Sequence, residues 1–299
     1  MPSLSAIVIK QILHLAAPRL NQMSIEQARR SQNKLGAIAT WLAGRKITAT
    51  PQPLEHCQAA LIRAHAQQKG QQILLYLHGG AYTAGSISYA QGIGRRLASK
   101  LRLDVFCVAY RLAPEHPFPA ALEDAFAAYR HLLALGYLPQ QIILIGESAG
   151  GGLTYALSQL LQTKGMGQPG AIIALSPWTD LALHGASYQQ NQGRDPALDL
   201  GQLQSSAALY AQEQLTNPLI SPLYGQLAHT PRSLIICGAD ELLLDDARAM
   251  AQRLTQANCE VELLVEPFMW HAYVLYPTAE AKRAWQRIAA FLSKGPTER

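Results

Sequence analysis

Seven short apolar runs, each closed by glycine, proline or a polar loop, constrain the fold of this chain more than any other feature. They lie at 59–64, 73–77, 105–109, 142–145, 171–175, 233–237 and 261–265, and several are rich in β-branched residues. The first six predict strands buried on both faces, and 261–265 reads as the last strand of the core. Stretches with helical spacing separate them at 89–101, 121–135, 149–161 and 245–257, and another closes the chain at 279–292. Strands alternating with helices build a mainly parallel sheet covered on both sides, so the expected fold class is α/β. At 299 residues the chain suits one large domain of that kind.

Two regions depart from the rhythm. Before residue 45 the pattern is helical. Leu4, Ile7, Val8, Ile12 and Leu15 share one face of a short amphipathic segment that should dock on the core, with Pro18 ending it. Ser24 and Gln27 form a capping box for a second helix, which Ile25, Ala28, Leu35, Ile38, Ala39 and Leu42 carry to a C-terminal cap at Gly44. Between 183 and 215 a single helical segment, 199–212, sits among Gly, Asn, Gln and Asp, as a lid would. The expected division is an N-terminal helical cap at 1–45, a core at 46–182, a cap insertion at 183–215 and the rest of the core at 216–299.

Composition excludes several function classes. Twenty-five Lys and Arg against twenty Asp and Glu leave a charge of +5, but no basic run exceeds two residues, so nucleic acid is not an expected partner. The four cysteines show no Cys-x-x-Cys spacing and the nine histidines no His-x-x-x-His spacing, which gives a metal site no support. Cys107 and Cys237 fall inside apolar runs, where a free thiol packs as a small hydrophobe. No signal-peptide pattern opens the sequence, and no apolar run nears the ~18–20 residues that cross a bilayer. A cytoplasmic protein without stable membrane insertion is expected. A homodimer stays open.

The chemistry gathers at strand ends. The run 142–145 leads into Gly146-Glu147-Ser148-Ala149-Gly150 and then a helix, the setting of a nucleophile elbow, where small residues at 146 and 150 let a strained turn close. The run 73–77 ends in His78-Gly79-Gly80-Ala81, a turn able to aim backbone N–H groups at a developing oxyanion, with the Ala149 N–H as a further donor. His78 itself reads as a structural histidine that orients the turn. With such an elbow the order is serine, acid, histidine, so the base lies beyond the last strand, which selects His271 among Phe268, Trp270 and Tyr273.

These residues, together with Tyr110-Arg-Leu-Ala-Pro-Glu-His-Pro-Phe-Pro119, Ser176-Pro-Trp-Thr-Asp180 and the acidic segment 241–246, resemble the hormone-sensitive-lipase-like esterases of the α/β-hydrolase superfamily. The resemblance runs from about residue 47 to the C-terminus. It implies an eight-stranded, mostly parallel sheet under a helical cap, and cofactor-free hydrolysis of short- to medium-chain acyl esters through an acyl-enzyme. It maps oxyanion donors onto Gly80 and Ala81. Glu147 stands where the family commonly has Asp. Arg111, Glu115 and Asp124 read as a structural salt-bridge set. For the triad acid, residue type favours Asp240, whereas the family's spacing, four residues before the helix-opening Asp245, favours Glu241. The expected catalytic set is therefore Ser148, Glu241 and His271, with Asp240 as the competitor for the acid. An amidase or arylformamidase would use the same triad, and a non-catalytic receptor like those for gibberellin would share the fold with its histidine replaced.

Overall fold

The computed structural model describes residues 1–42, 47–64 and 72–294. Eight strands, β1 (Ala49–Pro53), β2 (Gln58–Ile62), β3 (Ile73–Leu77), β4 (Asp104–Ala109), β5 (Ile142–Glu147), β6 (Ala171–Leu175), β7 (Ser233–Gly238) and β8 (Val261–Glu266), form one sheet in the order β1-β2-β4-β3-β5-β6-β7-β8. From β4 to β8 all neighbours are parallel, and β1 and β2 add an antiparallel edge. All seven apolar runs are strands. The absent one in the sequence reading is β1: its sequence, Ala-Thr-Pro-Gln-Pro, carries two prolines, which an edge strand tolerates because one row of its N–H groups needs no partner.

Side chains of successive strand residues enter opposite faces, so a run buried end to end supplies two cores at once. Leu75, Leu77, Leu144, Ile172 and Ile235 join one cluster with residues of α4 (Ala120–Ala134), α5 (Ala149–Thr163) and α8 (Leu244–Gln256). Leu74, Tyr76, Ile143, Ile173 and Leu234 join the other with α3 (Ile87–Leu101) and α9 (Ala279–Ser293). Fully burying one such aliphatic side chain contributes about 1.5–3 kcal/mol. Helices α3 and α9 start where short polar side chains accept a backbone N–H, Ser86 from Tyr89 and Thr278 from Ala281.

The N-terminal helices differ from expectation. Helix α1 (Leu4–Leu20) runs through Pro18, because that residue lies in the last turn and forfeits only one intrahelical bond; the Asn21 N–H still reaches the Ala17 carbonyl at 2.8 Å. The helix also docks by its other face. Ala6 is buried, with Ile9 and Leu13 against the core, while Leu4, Val8, Ile12 and Leu15 are more than half exposed. Polar anchors select that face: Ser3 bonds Glu280 through both its N–H and its hydroxyl, and Lys10 Nζ meets Asp240 Oδ2 at 2.6 Å. The Ser24–Gln27 capping box does open α2 (Ile25–Leu42). Gly44, its expected cap, lies outside the described residues. Within 183–215 the chain forms α6 (Ser187–Gln190) and α7 (Leu200–Ala211), the latter capped by Asp199.

Sheet order places the chemistry. Leu77 pairs with Gly146, so the turn after β3 lies beside the elbow after β5. Strand β7 runs between β6 and β8, so the loop 239–243 lies between Ser176 and the loop that carries His271.

Candidate active site

Ser148 sits between β5 and α5 with φ 57° and ψ −125°, a left-handed backbone rare for a residue with a Cβ. Long-range bonds hold it there: its N–H donates to the Leu175 carbonyl at 2.9 Å, and its own carbonyl accepts from Trp178 N–H at 2.9 Å. The turn closes because Gly150 lies against the neighbouring loop, where a Cβ would come within 2.1 Å of the Leu77 carbonyl oxygen. The elbow expected from sequence is thus present, with its strain supported from two adjacent strands.

Beside it, residues 80–82 all have positive φ, and the Thr83 and Ala84 N–H groups close the turn on the Gly80 carbonyl at 3.0 and 2.9 Å. Among the described residues, the amides of Gly80, Ala81 and Ala149 have no protein acceptor. His78 is structural, as expected. Its ring stacks on Tyr110 at 4.1 Å, its Nδ1 lies 2.8 Å from the Gly79 carbonyl, and burial lowers its pKa to about 4. Glu147 ties the two turns together: its Oε1 accepts from Gly79 N–H at 2.7 Å and from the hydroxyls of Tyr76 and Tyr89 at 3.0 and 3.2 Å. Burial pushes this carboxyl up to about 7.

The acidic pair after β7 resolves into two different environments. Both oxygens of Asp240 are occupied, Oδ2 by Lys10 and Oδ1 by Arg194. Glu241 is wholly buried. Its Oε2 accepts from Ser176 Oγ at 2.6 Å and from Gly238 N–H at 2.9 Å, while its Oε1 has no partner among the described residues. The same is true of His271 Nδ1. Ser176 links the two residues, since the hydroxyl that donates to Glu241 accepts from the Ala272 N–H at 2.9 Å. Burial raises the Glu241 pKa well above the usual carboxylate range and lowers that of His271 to about 3, so the isolated histidine is neutral.

Ser148 and His271 line one cavity of about 1110 Å3. Ile25 and Leu35 face it from α2, Met23 from the link between α1 and α2, and Leu198, Leu203 and Leu209 from the 183–215 segment. Gly80, Ala81 and Glu147 also reach its wall. The expected salt-bridge set is only partly formed. Arg111 pairs with Asp124 at 2.8 Å and with Glu123, but Glu115 pairs with Arg29 of α2, because the loop 113–119 turns toward that helix. Sequence reasoning assigned no role to Ser176, Asn191 or Asp195, all of which hold the loops carrying Glu241 and His271; short polar residues in loops carry no signal of such a role.

A serine on a strained strand–helix turn, free amides beside it and a neutral buried histidine form the set that acyl transfer requires. Residues 74–275 match the α/β-hydrolase-fold family. The chain belongs to that family. Within it, an acetyl-hydrolase of Streptomyces hygroscopicus is 41% identical over 240 residues, 79% of this chain and 80% of that protein. An esterase of Acinetobacter venetianus is 34% identical, covering 76% of each. Among solved α/β-hydrolases, an esterase of the bacterial hormone-sensitive lipase family superposes with a TM-score of 0.90 at 35% identity over 99% of both chains. This hydrolase thus falls among the bacterial hormone-sensitive-lipase-like members, as its motifs imply.

Proposed function

We propose that the chain is a carboxylesterase that cleaves short- to medium-chain acyl esters with Ser148 as nucleophile, His271 as base and Glu241 as the acid. The class, a carboxylic ester hydrolase, agrees with its relatives. The observation that carries the triad is the pair of orphaned atoms, Glu241 Oε1 and His271 Nδ1, buried in loops that Ser176 joins. A buried polar atom left unpaired costs about 1–3 kcal/mol, a cost that a bond between the histidine N–H and the carboxylate removes. Asp240 is instead engaged in ion pairs with Lys10 and Arg194, one at each oxygen.

In this reading His271 Nε2 takes the proton as Ser148 Oγ attacks the ester carbonyl carbon. The C=O electron pair moves to oxygen, where the Gly80, Ala81 and Ala149 amides stabilise it. Collapse expels the alkoxide, which leaves with the proton from His271. Water then repeats the cycle on the acyl-enzyme, releasing the acid and free Ser148. Glu241 fixes the imidazole tautomer and stabilises its cation. The segments 1–45 and 183–215 serve as the roof of the acyl pocket, a role supported by the apolar residues each presents to the cavity. A cytoplasmic setting is supported by Cys107, Cys237 and Cys259, buried as free thiols.

An acyl-length series on a chromogenic ester, followed by mass spectrometry of the organophosphate-treated enzyme, tests the proposal. Turnover should peak at short acyl chains and the adduct should sit on Ser148. An adduct elsewhere would sink the assignment.

A further inference from the structure

The loop that carries Glu241 is not held by its own strand alone. Asn191 and Asp195, both buried, reach it from the 183–215 segment. Asn191 Nδ2 donates to the Glu241 carbonyl at 2.8 Å and to the Ala239 carbonyl at 3.2 Å. Asp195 Oδ2 accepts the Leu242 N–H at 3.0 Å, and its Oδ1 accepts the Ala197 N–H at 3.0 Å and the His271 N–H at 3.4 Å. One carboxylate therefore joins three backbones: the residue after the acid, the base itself and the cavity wall at Ala197. Ser187 adds a further bond, from its Oγ to the Leu242 carbonyl at 2.6 Å.

We propose that Asp195, supported by Asn191, is a positioning residue of the ester hydrolysis, holding the Glu241 and His271 loops in the register that lets the two side chains meet. The proposal rests on the Ser148–Glu241–His271 reading. Its physical basis is that the two loops leave different strands, β7 and β8, whose pairing ends at Gly238 and Glu266; beyond it the backbones meet through the Ala239 N–H to the Glu266 carbonyl and the Asp240 N–H to the Met269 carbonyl, both before His271. Backbone groups at 241, 242 and 271 are buried there and require partners. A carboxylate suits the three N–H groups because it accepts at both oxygens, whereas an amide accepts at one and turns a competing N–H toward the other. Misplacement of a catalytic group by about 1 Å costs up to about 100-fold in rate.

The test compares Asp195→Asn, Asn191→Ala and Glu241→Gln in the full-length enzyme. Three quantities are read: kcat and KM on a short acyl ester, the rate and stoichiometry of Ser148 phosphonylation by a small organophosphate, and thermal unfolding. Asp195→Asn should lower kcat and the phosphonylation rate together, by about 10- to 100-fold, with full stoichiometry and KM changed less than about threefold. Asn191→Ala, which removes the donor to the two carbonyls and the Oδ1 that accepts from Arg194, should lower both rates about 3- to 10-fold and provides the reading if Asp195→Asn does not fold. Unchanged rates at full stoichiometry, or a loss confined to KM, in the presence of a collapsed Glu241→Gln rate, would overturn the positioning role and leave the triad standing. Retained turnover in Glu241→Gln would instead remove the triad reading and this proposal with it.

Discussion

The two halves of the site are built in contrasting ways. The Ser148 half consists of two tight turns on adjacent central strands, with Gly150 against the Leu77 carbonyl and Glu147 bonded to Gly79. Its geometry follows from short segments whose glycines and small residues have one way to pack. The Glu241–His271 half consists of two longer loops from β7 and β8, held by side chains from Ser176, Asn191 and Asp195. Both halves are hydrogen-bonded, but the first depends chiefly on tight backbone turns with close contact at Gly150 and the second chiefly on side-chain bonds that bridge its loops. Substitutions in each should therefore fail differently.

The largest effect should come from Ser148→Ala. Turnover should fall by roughly 10⁴–10⁶ with the fold retained, measured as kcat on a short ester and by circular dichroism. More than a tenth of wild-type turnover would show that the strained turn is not where the chemistry occurs. Next, Glu241→Gln should lower kcat by ~10³–10⁴, whereas Asp240→Asn, which loosens bonds to Lys10 and Arg194 outside the triad, should cost far less. A reversed order would transfer the acid role to Asp240 and remove the contrast between the two carboxylates.

On the steric half, Gly150→Ala should lower stability by about 3 kcal/mol in urea unfolding, because its methyl would meet backbone carbonyls at Leu77 and His78 that β3 holds in place. A variant as stable as wild type would mean that the turns can part freely.

The smallest effect concerns Glu147, whose carboxyl burial pushes up to about 7 from the ordinary glutamate value of 4.5. A carboxyl raised on folding binds more protons in the native state, so its contribution to stability is full below about pH 4.5 and is lost as pH rises through 7. Glu147→Gln removes that titration. The unfolding free energy of the variant relative to wild type should rise by about 1–3 kcal/mol between pH 5 and 8. A pH-independent difference would mean that the Gly79 and tyrosine bonds keep the carboxylate ionised throughout.

Much of this protein was legible in its residues. All seven apolar runs are strands; six are mostly buried, because a segment of Ile, Val, Leu and Ala fits a place covered on both faces, while β8, with Glu262 inside it, is an edge strand only partly buried. The elbow at Ser148 and the turn after His78 were legible as turns because each closes such a run, where close packing requires small residues. Strand β1 was hidden by its prolines, and the docking face of α1 by its having apolar residues on two sides, so that Ser3, Lys10 and their distant partners made the choice. The competition between Asp240 and Glu241 could not be decided by residues adjacent in sequence. Tertiary structure separates them, since Lys10 and Arg194 occupy one carboxylate, while Ser176 and Gly238 hold the other with an oxygen free. Backbone strain and apolar burial are local properties that a short segment carries with it. Hydrogen bonds between distant elements join partners up to 277 residues apart, as Ser3 and Glu280 are, and only the closed fold brings those together.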